Sequence, residues 1–174
     1  MLQKSSMRKS YPSAYRRILM ADVGSAAPDF TLNGAVNQED TEVSLSDYSG
    51  KNLVVLFYPL AFSPVCAEQV PDFNENLDAI RAKGADVIAI NRDSTFAHKA
   101  WSQELGGVDF PLLADMNLEV SKQFGMALEE VGITTRGVFI VDKAGHIAFK
   151  HVENAPPDNT LSAAQVLGEL DKLQ

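Results

Sequence analysis

Two kinds of apolar pattern alternate along the chain, and their alternation predicts an architecture. "NLVVLFY" (52–58) is almost wholly apolar and rich in β-formers, the pattern of a strand buried on both faces. "ADVIAI" (85–90) and "GVFIVD" (137–142) read the same way. Between the first two, Cys66, Val70, Phe73, Leu77 and Ile80 recur four and three apart, which predicts one face of a helix. "TFAHKAWSQELGG" (95–107) predicts a second helix closed by glycines, and "NLEVSKQFG" (117–125) a shorter third. Near the start, "DFTLNG" and "TEVSLSDY" predict two short strands joined by a turn. "DKAG" predicts a turn from the third buried strand into "HIAFKHV", which makes an antiparallel pair. "APPDN" reads as a loop, with Asn159 or Thr160 as the cap of a last helix carrying Val166, Leu167, Leu170 and Leu173.

The order is therefore strand, helix, strand, helix, an insertion, a hairpin and a final helix. A βαβ half followed by a ββα half outlines an α/β thioredoxin-like fold. It predicts a central mixed sheet, right-handed crossovers and helices on both faces. A chain of 174 residues fits one such domain, read as residues 21–174.

Residues 1–20 read differently. "MLQKSSMRKSYPSAYRRILM" is basic, serine-rich and acid-free, which resembles a transit peptide, but it lacks the apolar centre of a secretory signal. A dispensable, disordered extension is favoured over organelle targeting, and Met20 is a credible start because the globular pattern begins just after it. Five of the 15 Lys and Arg fall in this stretch and none of the 23 acids does, so residues 21–174 carry a formal charge of −13. A body that acidic repels nucleic acid and anionic membrane surfaces, so neither is an expected partner. No apolar run approaches the length of a membrane span.

Cys66 is the only cysteine, so an internal disulfide is excluded, and without Cys-x-x-Cys a thioredoxin-type disulfide reductase is excluded too. A lone thiol suits a reducing compartment, and the cytoplasm is expected. Its setting is "PLAFSPVC" (59–66). Pro59 breaks the buried strand, Ser63 is a favoured N-cap residue and Pro64 is favoured at the first helical position. Cys66 then falls in the first helical turn, where unpaired N–H groups and the positive dipole end favour a thiolate. The same N–H groups suit an anion or a peroxide oxygen. Ser63, three residues earlier, falls on the same side of the helical start, where its hydroxyl is placed to cap the helix or to bond whatever approaches the sulfur. Pro71 cannot donate to the Ala67 carbonyl and predicts a kink rather than the helix end.

From these residues alone two readings of Cys66 stay open: a reactive thiol, or a buried apolar residue on its stripe, the commonest fate of a free cysteine. Arg136 alone reads as a solvated charge, Trp101 as a packing residue, and Glu129 and Glu130 as a charged loop face. His98, His146 and His151 show no ligand spacing and read as structural or solvated, so no metal is expected. No phosphate loop or dinucleotide fingerprint appears, so no cofactor is expected.

"PLAFSPVC" resembles the peroxiredoxin active-site pattern of proline, three residues, threonine or serine, two residues, cysteine. It is most similar to the one-cysteine, alkyl-hydroperoxide-reductase-E-like group. The resemblance runs from about Val23 onward through "GSAAPDFTL", "FPLLAD" and "TTRGVFIVD". It implies that Cys66 is the peroxidatic cysteine, oxidised to a sulfenic acid. Pro59 would shield the sulfur, Ser63 would bind and orient the peroxide, and Arg136 would come next to the sulfur from a distant strand. A guanidinium there favours the thiolate and offers several donors to an oxygen substrate. Backbone N–H groups of Val65 and Cys66 would complete the cradle, lowering the barrier as charge develops on the leaving oxygen. Trp101 would lie in the site's neighbourhood. Two departures stand out: Ser63 where threonine is usual, and Gln69, beside Glu68, where many members carry glutamate.

The implied activity is thiol-dependent reduction of hydrogen peroxide, organic hydroperoxides and peroxynitrite. A thioredoxin, a glutaredoxin-like protein or a low-molecular-weight thiol would act as external reductant. The implied assembly is a homodimer, or a larger homo-oligomer, through loops and helix ends near the site. A peroxide sensor or thiol relay on the same fold is the alternative, and a structural module with an inert Cys66 is a third.

Overall fold

The computed structural model describes residues 21–153 and 160–174. The basic N-terminal stretch, the "APPDN" loop and Asn159 lie outside the described residues. The elements run β1 (Thr31–Val36), β2 (Glu39–Ser44), β3 (Asn52–Phe57), α1 (Cys66–Glu75), α2 (Leu77–Ala82), β4 (Ala85–Asn91) and α3 (Thr95–Glu104). They continue with β5 (Leu112–Ala114), α4 (Glu119–Gln123), β6 (Ala127–Leu128), β7 (Ile133–Thr134), β8 (Gly137–Val141), β9 (Ile147–Val152) and α5 (Ala163–Asp171). Seven strands form one mixed sheet in the order β2-β1-β5-β4-β3-β8-β9, with β3, β4 and β5 parallel and the rest antiparallel.

The continuous apolar runs are explained by burial on both sides. Along β3, Val54 and Leu56 face one core with Tyr58, while Leu53, Val55 and Phe57 face the other. The first core is closed by Val70 and Phe73 of α1, Leu77 and Ile80 of α2, Trp101 of α3, and Val166 and Leu170 of α5. The second is closed by Val120 of α4 with Phe124, Phe30 and Met126. The fold is thioredoxin-like, with helices on both faces of a mixed sheet.

Four local expectations are corrected. The stripe from Cys66 to Ile80 is buried as predicted, but it spans two helices, not one kinked at Pro71. Pro71 sits inside α1, and the break falls at Asn76, whose side-chain amide donates to the Asp72 carbonyl at 2.8 Å and competes with the helix ladder. The last helix is capped by Ser162, not Thr160, because Ser162 and Gln165 form a reciprocal capping box. The strand read in "TEVSLSDY" stops at Ser44, where Leu45–Tyr48 turn into a 3-10 helix. Leu112–Ala114 form a strand, β5, where the pattern predicts only an insertion, because three residues carry no periodicity. Gly34 matters there: its backbone lies so close to the Leu112 carbonyl that any Cβ would collide with it.

Candidate active site

The register of β3 and β8 builds the site. Phe57 pairs with Gly137 at the end of the antiparallel ladder, so the chain leaving β3 and the chain entering β8 lie side by side. One carries Tyr58 and the loop to Cys66; the other carries Thr134, Thr135 and Arg136. The Thr134 hydroxyl donates to the Tyr58 carbonyl at 2.5 Å, tying the two segments.

The loop 59–65 is braced from the β4 side as well. The Ala61 N–H donates to Asp93 Oδ2 at 2.8 Å, and Asn91 Nδ2 donates to the same oxygen at 2.6 Å. Phe62 takes a left-handed backbone, with φ 63°. A non-glycine residue held there costs about 1–3 kcal/mol, which these braces must offset. Pro59 is half-buried at the foot of the loop.

Cys66 sits in the first turn of α1, where the Ala67 N–H already donates to the Ser63 carbonyl at 2.9 Å. Here the structure corrects the side-chain expectation for Ser63. Its Oγ does not cap the helix but donates to the Leu60 carbonyl at 2.9 Å, because the turn at Ala61 and Phe62 brings that carbonyl within reach. Neither the Val65 nor the Cys66 N–H has an acceptor among the described residues, so both remain as donors.

The Cys66 side chain is fully buried, and its sulfur receives a donor: Arg136 Nη2 lies 3.2 Å from Sγ. Arg136 Nη1 donates to Gln69 Oε1 at 2.8 Å. Arg136 is therefore no solvated charge; it is 6% exposed. Of the predicted residues, Arg136 is brought from the chain entering β8 onto the Cys66 sulfur, while Val65, Ser63 and Pro59 lie on the loop that leads into Cys66. Trp101 stacks on Tyr58, with ring centroids 5.3 Å apart, and both belong to the core that includes Cys66. The Tyr58 hydroxyl is held protonated: burial first, then the Asp93 and Cys66 charges, push its pKa well above the usual value.

Gln69 stands out in the sequence only as a departure from the usual glutamate, and no spacing points to Glu153, Asp93 or Asn91. Gln69 and Glu153 flank Arg136, and Glu153 approaches its Nε at 3.6 Å. Asp93 and Asn91 brace the loop. His98, read among polar helix neighbours as structural or solvated, is wholly buried against Asn91, its Nε2 2.7 Å from Oδ1. Glu129 and Glu130 are exposed as read. An open groove of about 370 Å³ runs beside the site, lined by Val65, Glu68, Gln69, Asp72 and Thr160 among others. A larger groove of about 610 Å³ lies elsewhere, around Phe30, Phe96 and Met116, and touches none of the site residues. The described residues hold no group of three His, Cys, Asp or Glu arranged for a metal ion. None of their helices is long and apolar enough to cross a membrane.

Residues 23–150 match the family described as AhpC/TSA. A thioredoxin peroxidase of Echinococcus granulosus is 36% identical over 152 residues, covering 84% of this chain and 79% of that protein. A chloroplastic 2-Cys peroxiredoxin of Spinacia oleracea is 34% identical over 183 residues, covering 97% and 69%. The crystal structure of Enterococcus faecalis AhpC superimposes with a TM-score of 0.81 at 28% identity, over 87% of this chain and 92% of that one.

Proposed function

The chain belongs to the AhpC/TSA family, and on that premise we propose that it is a thiol peroxidase of the one-cysteine, alkyl-hydroperoxide-reductase-E-like kind. Its relatives are peroxiredoxins, several of them named for two cysteines, whereas this chain has one. The observation that carries the reading is the charged donor on a buried sulfur, Arg136 Nη2 at 3.2 Å from Cys66 Sγ. A buried structural cysteine has no use for a guanidinium, which is costly to bury.

In this reading the Cys66 thiolate attacks one oxygen of the peroxide. The S–O bond forms as the O–O bond breaks, sulfur is oxidised to a sulfenic acid, and the leaving oxygen takes a proton to depart as water or alcohol. Arg136 and the Val65 and Cys66 N–H groups face the charge that develops on oxygen. Ser63 supplies a hydroxyl to the bound peroxide, and Pro59 shields the sulfur from water. An external thiol then forms a mixed disulfide with Cys66, releasing water, and a second thiol frees Cys66 by taking the disulfide. That reductant is a thioredoxin, a glutaredoxin-like protein or a small thiol. Because Cys66 is fully buried, the first turn of α1 must open to admit it. Peroxynitrite is a further substrate, the assembly is a homodimer or larger homo-oligomer, and the setting is the cytoplasm.

The test is stopped-flow mixing of reduced protein with hydrogen peroxide, following Trp101 fluorescence and counting thiol after a quench, with Cys66→Ser as control. Consumption of one equivalent far faster than by free cysteine, absent in the control, is expected, followed by turnover when excess thiol is supplied. A rate no better than free cysteine sinks the proposal, and a single fast oxidation without turnover points to a sensor.

A further inference from the structure

Arg136 and Glu153 form a cross-strand pair one step beyond the β8–β9 ladder. Gly137 pairs with Val152, and the Glu153 N–H then donates to the Arg136 carbonyl at 2.9 Å. The two side chains are 6% and 3% exposed. Glu153 Oε2 lies 3.6 Å from Arg136 Nε and accepts from the Thr160 hydroxyl at 3.1 Å. Glu153 Oε1 and Arg136 Nε have no hydrogen-bond partner among the described residues. Burying a carboxylate is costly unless an opposite charge answers it, and Arg136 is the cation facing this one.

Each nitrogen of the guanidinium is thus assigned a side. Nη1 meets the neutral Gln69 carbonyl oxygen, Nη2 meets the Cys66 sulfur, and Nε faces Glu153. Gln69 steers the fork but carries no charge. We propose that Glu153 is a positioning residue for peroxide reduction. From the end of β9 it holds the Arg136 guanidinium so that Nη2 is presented to the sulfur and to the incoming oxygen. It touches neither sulfur nor substrate and acts through Arg136 alone. A carboxylate kept for stability alone would be a poor choice, since an apolar pair of the same shape serves as well. A long side chain held on three sides gives up the rotamers that would carry its donors off line. This role rests on the reading of Cys66 as the peroxidatic thiol.

The experiment compares wild type, Glu153→Gln, and the double variant Glu153→Gln with Gln69→Glu, which moves the charge to the helix side of the same guanidinium. Three quantities are measured on the full chain: the rate with hydrogen peroxide, the ratio of Cys66 alkylation by iodoacetate to that by neutral iodoacetamide, and thermal unfolding. Glu153→Gln is expected to lose about a hundredfold in peroxide rate, the scale of a misplaced catalytic group. Its alkylation ratio should fall, because the positive group leaves the sulfur. The double variant should recover most of both. A Glu153→Gln protein with the wild-type rate and ratio overturns the proposal. So does a double variant that melts like wild type yet recovers neither. If Glu153→Gln alone melts below assay temperature, the double variant decides. Wild-type protein unreactive to peroxide defeats the function instead, while the alkylation ratio still reports on Arg136.

Discussion

Acid should weaken this fold through His98 in a defined window. The imidazole is wholly buried, with Nε2 2.7 Å from Asn91 Oδ1. That oxygen also accepts the Asp93 N–H at 3.0 Å, while Asn91 Nδ2 donates to Asp93 Oδ2. Asn91 Oδ1 is therefore an acceptor, which makes Nε2 the proton-bearing nitrogen of a neutral ring. Nδ1 is buried without a hydrogen-bond partner among the described residues. Burial lowers the pKa of His98 from 6.5 to about 4, against the opposing pulls of the Asp93 carboxylate and the Leu112 carbonyl. In the unfolded chain the ring titrates near its ordinary value. Between the two values the unfolded chain binds a proton that the native state refuses, so stability falls as pH drops from about 6.5 to about 4. The contribution is fully present above that window and gone below it. The gap is worth about 3 kcal/mol, a large share of a typical domain's stability.

The assay is urea unfolding at a series of pH values between 7.5 and 4 for wild type and His98→Gln. Glutamine keeps a donor for Asn91 and cannot titrate, and carboxylates common to both proteins cancel in the difference. The variant's curve should lack a drop of about 3 kcal/mol across the window. Parallel curves would refute the reasoning. Since folded His98 stays neutral down to about pH 4, the Asn91–Asp93 brace on the Ala61 N–H should persist at neutral pH.

Arg136→Lys keeps the charge but loses the planar fork that reaches Cys66 and Gln69 together. It should cost about a hundredfold in peroxide rate by stopped flow, and a wild-type rate would remove Arg136 from the chemistry. Arg136→Met should also lower stability by about 3–5 kcal/mol in urea, because Glu153 is left buried without its counter-charge. Gly34→Ala forces a methyl group onto the Leu112 backbone and should destabilise the β1–β5 pairing by about 3 kcal/mol; an unchanged melting temperature would contradict the close approach. Ser63→Ala should lower the peroxide rate by about tenfold, the worth of a modest hydrogen bond to substrate. An unchanged rate would leave Ser63 as a brace for the Leu60 carbonyl only.

Much of the scaffold was legible because its signals are local. The runs at 52–58, 85–90 and 137–142 declare strands buried on two faces, and the stripe from Cys66 to Ile80 declares a buried helical face. The break at Asn76 was not legible, because an amide competing for the Asp72 carbonyl leaves the apolar spacing unchanged. His98 stays open between structural and solvated in the sequence for a related reason: its neighbours in sequence are polar, but its neighbours in space are Asn91 and Tyr58, which make it structural.

The site was legible in proportion to how far its residues depend on long-range register. Cys66 is placed by its own loop and needs nothing else. Arg136 reaches the sulfur only because Phe57 pairs with Gly137, a fact of sheet order that neither segment states alone. Glu153 depends on a finer detail. Counting back from the turn, Val141 pairs with Ile147, and an unbroken ladder would set Arg136 opposite Val152. The irregularity between Ile140 and Val141 shifts the register by one residue, so that Gly137 meets Val152 and Glu153 comes opposite Arg136. A one-residue slip exchanges the faces of every side chain beyond it. Without that bulge, Glu153 would point away from the guanidinium and Val152 would take its place. The bulge therefore does for the β9 side of Arg136 what the break after β3 does for Cys66: it ends a regular element where a side chain must be re-aimed.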